Sequence, residues 1–152
     1  MQGETTDQRL ARGEALRRQV LGSAHVERST EAVSPQRAAF ERYLTGAAWA
    51  DVWGDEQLEP RVRSLVTVCL LAAGGHERQL EIHVRAARDA GVSADELAAG
   101  LLHVAIYAGL PAANLGIAVL DRIYTVGAAL PDDRNAAPHG RVDDDQGKVR
   151  HP

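Results

Sequence analysis

The feature that most constrains the fold is a pair of helices, joined by a short turn, that residues 76–114 encode. In the first helix, His76, Gln79 and His83 recur at helical spacing, so their side chains share one face over two turns. A lone histidine on a helix is more often structural than catalytic. Because His83 shares its face with two further polar side chains, we expect it to lie in a functional site.

Small and polar residues form the turn between the two helices. Gly91 ends the first helix, since glycine enters the left-handed backbone region without steric cost. Ser93 then caps the second helix, roughly residues 94–108, and Glu96 completes a capping box. Both boundaries are therefore predicted from local residue chemistry alone.

The second helix is apolar on almost every face, which predicts a buried helix. Even so, it carries His103 and Tyr107 one turn apart. We therefore predict that His83, His103 and Tyr107 face a common space in which chemistry takes place.

Length and composition support an all-α fold. The chain has 152 residues, which is the size of one domain. Hydrophobic residues make up 45% and aromatic residues 4%, while Ala and Leu, both strong helix formers, are abundant. We predict an all-α, single-domain helical bundle of about six helices over residues 7–130. Residues 131–152 have the polar composition of a disordered tail.

Charge and cysteine content exclude several classes of protein. The net charge is −4 with acids and bases interspersed, so we expect no nucleic-acid partner. No run approaches the ~20 apolar residues of a membrane span, and the first residues lack a signal pattern, so we expect a cytoplasmic protein without membrane contact. The one cysteine, Cys69, cannot form an intrachain disulfide.

Two further features are candidates for the site. Trp49 and Trp53 are four residues apart, so on a helical turn they stack on one face. They serve either as a core anchor or as the wall of an apolar pocket. His25 lies in a predicted loop over residues 22–33. We expect no metal site, because His76 and His83 are roughly 10 Å apart along the helix axis, too far to share one ion.

Six collinear segments resemble the carboxymuconolactone decarboxylase family, in particular the gamma-carboxymuconolactone decarboxylases of protocatechuate breakdown. The segments occur in the family's order and cover about residues 7–128. They are RRQVLGSAHVERS (17–29), AAWADVW (47–53), RSLVTV (63–68), QLEIHVRAA (79–87), GVSADEL (91–97) and LLHVAIYAGLPAAN (101–114). The resemblance implies an alkylhydroperoxidase D-like fold and a homo-oligomer, either a trimer or a hexamer.

The resemblance also implies a reaction, the conversion of 4-carboxymuconolactone to 3-oxoadipate enol-lactone and CO2. The substrate is a small carboxylated lactone whose own carbonyl accepts the electrons released with CO2, so no cofactor is expected. The catalytic residues would be His83, as the general acid that protonates carbon, and His103. The expected substrate-binding residues are Gln79, Tyr107, Trp53, Arg85, Asn114 and His25.

Among these residues, the carboxylate-binding groups are the least determined. Arg85 or Arg17 would hold a carboxylate, but Arg85 points some 200° away from His83 around the helix. It would then serve an ion pair or the site of another subunit. Asn114 lies in the first turn of a last helix, over residues 111–130, beside free N–H groups that favour anions.

Two departures bear on the reaction. The family's redox branch uses a CxxC motif, and its cysteine positions are His76 and Gln79 here, so a dithiol cycle cannot run. The decarboxylase pattern has Glu where this chain has Gln79, which cannot ionise. Two alternatives therefore stay open. One is a diverged member that decarboxylates, isomerises or cyclises another small acid in a biosynthetic pathway, and the other is a non-catalytic oligomeric binding protein.

Overall fold

The computed structural model describes residues 3–30 and 34–125, and every regular element in these ranges is a helix. The predicted all-α fold is confirmed, whereas the predicted tail lies outside the described residues. One further helix and a π-helix occur beyond the six helices expected. The elements are α1 (Thr6–Leu21), α2 (Ser23–Thr30), α3 (Pro35–Leu44), the π-helix (Thr45–Trp53), α4 (Pro60–Ala73), α5 (Glu77–Asp89), α6 (Ala94–Tyr107) and α7 (Leu110–Thr125).

The predicted loop over residues 22–33 is wrong, because α2 occupies most of it. Gly22 has a φ of 82°, which turns the chain between α1 and α2. Val26 is buried and anchors the short helix. The hydroxyls of Ser29 and Thr30 donate to the Val26 carbonyl at 2.7 and 3.0 Å. The polar residues that suggested a loop therefore bond to the helix's own backbone.

The core lies where α4, α5, α6 and α7 pack together. Its members are aliphatic side chains that recur on the inner face of each helix. Burying a Val or Leu side chain stabilises the fold by about 1.5–3 kcal/mol, so this cluster fixes the direction of α5 and of the polar face beside it. The most deeply buried members are Leu80, Leu97, Leu101, Val68, Val84 and Val119.

Only one face of α6 is buried, although its composition predicts a helix covered on all sides. Leu97 and Leu101 pack in the core. On the opposite face, Leu102, Ile106 and Tyr107 are 67%, 78% and 85% exposed. Within the described residues no helix covers this face, so α6 presents apolar surface to its surroundings.

The π-helix packs very closely against α1. A Cβ atom on Gly13 would collide with the carbonyl oxygen of Thr45 and would lie 2.9 Å from the backbone nitrogen of Ala50. Only glycine permits this approach. Arg12 of α1 also donates from Nη1 to the Ala50 carbonyl, at 2.6 Å. This bond satisfies a carbonyl near the end of the π-helix.

Arg63 of α4 stabilises the same, C-terminal end of the π-helix. Its buried guanidinium donates to the carbonyls of Val52 and Asp55, the second at 2.6 Å, and more weakly to that of Leu58 at 3.3 Å. Carbonyls at a helix end lack intrahelical partners, so this side chain stabilises the chain reversal into α4.

Candidate active site

Three aromatic rings form a continuous stack between the π-helix and α5. The Trp49 and Trp53 centroids are 5.1 Å apart, as predicted for residues four apart on a helical turn. A π-helix has a wider turn than an α-helix, so such residues lie nearly above one another. The imidazole of His83 lies 5.8 Å from Trp53 and 6.4 Å from Trp49, at interplanar angles of 27° and 11°.

His83 is held in an environment that disfavours its charged form. Burial lowers its pKa to about 4, and the nearby positive charge of protonated His25 contributes in the same direction. The ring is therefore neutral at pH 7 in the unliganded protein. Its Nδ1 atom is buried without a hydrogen-bond partner among the described residues, a condition that native proteins usually avoid.

His25 is close enough to His83 to lower its pKa, and it comes from α2 and not from a loop. The side chain is half-buried. Its pKa is lowered by burial and by the positive charges of Arg28, Arg17 and Arg78. Arg28 and Arg78 were not predicted as site residues, because a sequence gives no means of distinguishing an arginine aimed at a site from a solvated one.

The predicted carboxylate-binding arginines are both engaged within the chain. Arg17 is buried, and its guanidinium lies 2.6 Å from Glu41 and 3.2 Å from the hydroxyl of Ser29. Arg85 donates to Glu81 at 2.7 Å on the outer surface of α5. The ion pair considered for Arg85 is therefore present, and neither arginine is unpaired.

Gln79 is exposed on α5, one turn before His83. Residues four apart share one face of an α-helix, so Gln79 lies on the same face of α5 as His83. Trp49 is 4% exposed and serves as a core anchor. Trp53 is less buried and also lines a cleft against α1 and α4. Trp49 is therefore a core anchor, and a pocket-wall role for Trp53 stays a prediction.

His103 and Tyr107 lie in a different part of the fold from the His83 stack, between α4 and α6. Their rings are stacked on each other, with centroids 6.4 Å apart and an interplanar angle of 7°. Both line an apolar groove of about 540 Å³ between α4 and α6, together with the half-buried Cys69. Burial raises the pKa of the Cys69 thiol. In the described chain, no ring contact joins this pair to His83.

The remaining features concern α7 and other classes of site. Asn114 is exposed and is the fifth residue of α7, where the fourth was predicted, because the helix begins one residue earlier, at Leu110. Over residues 3–30 and 34–125, no group of three or more His, Cys, Asp or Glu side chains is arranged to hold a metal ion. None of the helices in these ranges is long and apolar enough to cross a membrane.

The sequence that forms this helical bundle matches the carboxymuconolactone decarboxylase family. The model of that family matches residues 38–122, and the chain belongs to the family. It is 36% identical to a 4-carboxymuconolactone decarboxylase of Acinetobacter baylyi over 129 residues, which cover 85% of this chain and 96% of the relative. It is 33% identical to the nitrosuccinic acid decarboxylase npaB of Metarhizium robertsii over 99 residues, or 65% of this chain and 69% of the relative.

Both relatives are named decarboxylases. These matches support carboxy-lyase activity for this chain and disfavour the alternative of a non-catalytic binding protein.

Proposed function

We propose that the chain decarboxylates 4-carboxymuconolactone to 3-oxoadipate enol-lactone and CO2, with His83 as the group that protonates carbon. The observation that carries this proposal is the largely buried imidazole of His83, which stacks on Trp53 and whose Nδ1 atom is buried without a hydrogen-bond partner among the described residues. A titratable ring with a strongly lowered pKa and free hydrogen-bonding capacity is a candidate catalytic group. The 36% identity to a 4-carboxymuconolactone decarboxylase supports the choice of substrate.

The proposed chemistry requires no group beyond the substrate and the side chains. The bond between the ring carbon and the carboxylate carbon breaks, and CO2 leaves. The electron pair passes through the ring double bond to the lactone carbonyl oxygen, and a proton then adds to carbon. The chain has to hold the substrate, stabilise the developing oxyanion and deliver that proton.

Substrate binding itself prepares the acid. With a pKa of about 4, His83 is neutral in the unliganded protein and cannot donate a proton as an imidazolium ion. A bound carboxylate favours the charged form of a nearby histidine and raises its pKa. His83 therefore takes up a proton from solvent as the anionic substrate enters, and returns it to carbon after CO2 has left.

A second candidate is the decarboxylation of another small acid. Gln79 favours it, because an amide one turn from His83 cannot exchange a proton as the family's Glu would. The relative named nitrosuccinic acid decarboxylase is an instance of a different substrate within the family. Such a reaction uses the same His83 stack with a different group as the electron acceptor.

We also infer that the protein self-associates through the apolar face of α4 and α6. Monomers rarely expose large contiguous apolar patches, and this face combines a groove of about 540 Å³ with strongly exposed aliphatic side chains. The trimer or hexamer implied by the family resemblance would cover it. His103 and Tyr107 would then lie at a subunit interface. The exposed side chains are Leu70 (66%) on α4 and Leu102 (67%) and Ile106 (78%) on α6.

The deciding experiment is turnover of 4-carboxymuconolactone by the purified protein with a metal chelator present. Release of CO2 and loss of the substrate's ultraviolet absorption are followed together in the wild type and in His83→Gln. The exposed His76→Gln variant, altered on the same helix, is the matched control. We expect His83→Gln to lose at least about 100-fold in kcat, the size of a general acid's contribution, while His76→Gln retains activity.

Other outcomes separate the candidates. Turnover of nitrosuccinate without turnover of the lactone would favour the second candidate. Full activity in His83→Gln would keep the reaction and remove His83 from it. Absence of turnover with both acids would overturn the proposal.

A further inference from the structure

A cation-lined cleft of about 370 Å³ opens between α2 and α5. Its lining residues come from the C-terminal part of α2 and from one face of α5. Its walls contain three arginines and a single carboxylate. The lining residues are His25, Arg28, Ser29, Arg78, Glu81, Ile82 and Arg85.

The cleft contains positive charge that the described chain does not neutralise. Both carboxylate oxygens of Glu81 already accept hydrogen bonds, one from Arg85 at 2.7 Å and one from Arg122 at 3.1 Å. Over residues 3–30 and 34–125, no Asp or Glu carboxylate lies within ion-pair distance of Arg28 or Arg78. Two guanidinium groups on different helices therefore face one cleft without a carboxylate partner among the described residues.

His25 connects this cleft with the aromatic stack. It lines the cleft, and its pKa is lowered by the charges of Arg28, Arg17 and Arg78 in addition to burial. Of these three arginines, Arg17 is already paired within the core, so the cations that an anion could reach are the other two. His25 also lies close enough to His83 to influence its titration. A group bound in the cleft is therefore linked to the proposed acid through His25.

We propose that Arg28 and Arg78 bind a carboxylate of the substrate in this cleft, with His25 between that carboxylate and His83. This inference rests on the proposed function and names its specificity determinant. A guanidinium presents a planar fork of N–H donors that matches a carboxylate in two parallel hydrogen bonds. Two such forks from α2 and α5 select acids that retain a carboxylate after CO2 has left.

The assignment also explains why the arginines expected from sequence do not serve this role. Arg85 lines the same cleft but is held by Glu81, so moving it to a substrate would leave that carboxylate with fewer partners. Arg28 and Arg78 lose no ion pair with the described part of the chain when they turn toward an anion. The substrate class is a small acid with at least two carboxylates, one lost as CO2 and one held by this pair.

Binding can be measured without turnover. Succinate is titrated into the wild-type protein, and the ring proton resonances of the histidines are followed by NMR. We expect the His25 resonances to shift and its pKa to rise, because the bound anion offsets the charges of Arg28, Arg17, Arg78 and Arg85. Succinamide, which has the same length and no charge, should produce no shift.

Variants identify the groups responsible. Arg28→Gln and Arg78→Gln should each raise the Kd for succinate about tenfold, the equivalent of one lost charge-assisted interaction. Arg28→Lys should recover part of the loss. The control is Arg61→Gln, which removes the same charge from an exposed pair with Glu96 outside the cleft, and it should leave the Kd unchanged. Both cleft arginines are exposed, so circular dichroism should show intact folding.

The outcomes separate this inference from the proposed function. Succinate binding that is lost in both variants supports the cleft even if 4-carboxymuconolactone is not turned over. If the lactone is turned over with an unchanged KM in both variants, the reaction stands and the cleft assignment is overturned. A change in sedimentation without a change in succinate binding would also overturn it, because the arginines would then serve a subunit interface.

Discussion

The imidazole of His83 stacks on the indole of Trp53, with ring centroids 5.8 Å apart and an interplanar angle of 27°. The two residues come from α5 and from the last position of the π-helix. An indole face replaces water that would otherwise solvate an imidazolium ion. The protonation of His83 is therefore linked both to the packing of the π-helix and to the stability of the fold.

Acid should destabilise the protein through His83. Burial lowers its pKa to about 4 from an ordinary value of 6.5, which applies in the unfolded chain. Between these values the unfolded chain binds the proton and the folded protein does not, so the free energy of unfolding falls as the pH is lowered through this window. At 1.36 kcal/mol per pKa unit, the loss is on the order of 3 kcal/mol. Urea unfolding at a series of pH values measures it.

The contribution of His83 is isolated by comparing how steeply the free energy of unfolding depends on pH in two variants. His83→Gln should lack its share of the pH dependence between pH 4 and 6.5, whereas the exposed His76→Gln should keep the wild-type slope. Equal slopes in the wild type and in His83→Gln would contradict the argument, because the imidazole would then be solvated to the same extent in both states.

Replacing Trp53 by leucine should raise the pKa of His83 toward 6.5. Leucine is smaller than an indole and admits water to one face of the imidazole, so the charged form is less disfavoured. The pKa is read from the pH titration of the His83 ring protons by NMR. The control is Val52→Ala, beside Trp53 but 58% exposed. An unchanged pKa in Trp53→Leu would mean that other groups bury the ring.

The parts of the fold that local chemistry determines could be predicted from sequence. The capping box is present as predicted, with the Ser93 hydroxyl accepting from the Glu96 backbone and the Glu96 carboxylate accepting from the Ser93 backbone. The stack of Trp49 and Trp53 also followed from their spacing. These features depend on residues three or four positions apart, which a sequence displays directly.

The features that could not be predicted depend on distant contacts. The π-helix has the composition of an α-helix, and its wider hydrogen bonding goes with the close fit against Gly13 and the bonds from Arg12 and Arg63. The cation-lined cleft is lined by both Arg28 and Arg78, which are separated by 50 positions in the chain. Amphipathic periodicity does not reveal such pairs, because an exposed arginine fits any solvated helix face.

Gly13→Ala should destabilise the fold by about 2–3 kcal/mol, the cost of overpacking at a rigid contact. Alanine is the better helix former, so local propensity alone predicts the opposite sign. The added methyl group would meet the backbone of Thr45 and Ala50, which cannot rotate aside as a side chain can. Chemical denaturation measures the change. Gly3→Ala, where no atom lies within 4 Å, is the control and should change the free energy of unfolding little.

Ile106→Glu should dissociate the proposed oligomer without unfolding the subunit. Ile106 is 78% exposed on α6, so a carboxylate there is solvated in a monomer but buried without a partner in an interface, which costs several kcal/mol. Sedimentation velocity should show a multiple of the 16.3 kDa chain mass for the wild type and a single chain for the variant. Gln19→Glu, an exposed site on α1, adds the same charge and should leave the assembly intact. A wild type that sediments as a monomer would contradict the inferred interface. A variant that remains assembled would place the interface on another face of the subunit.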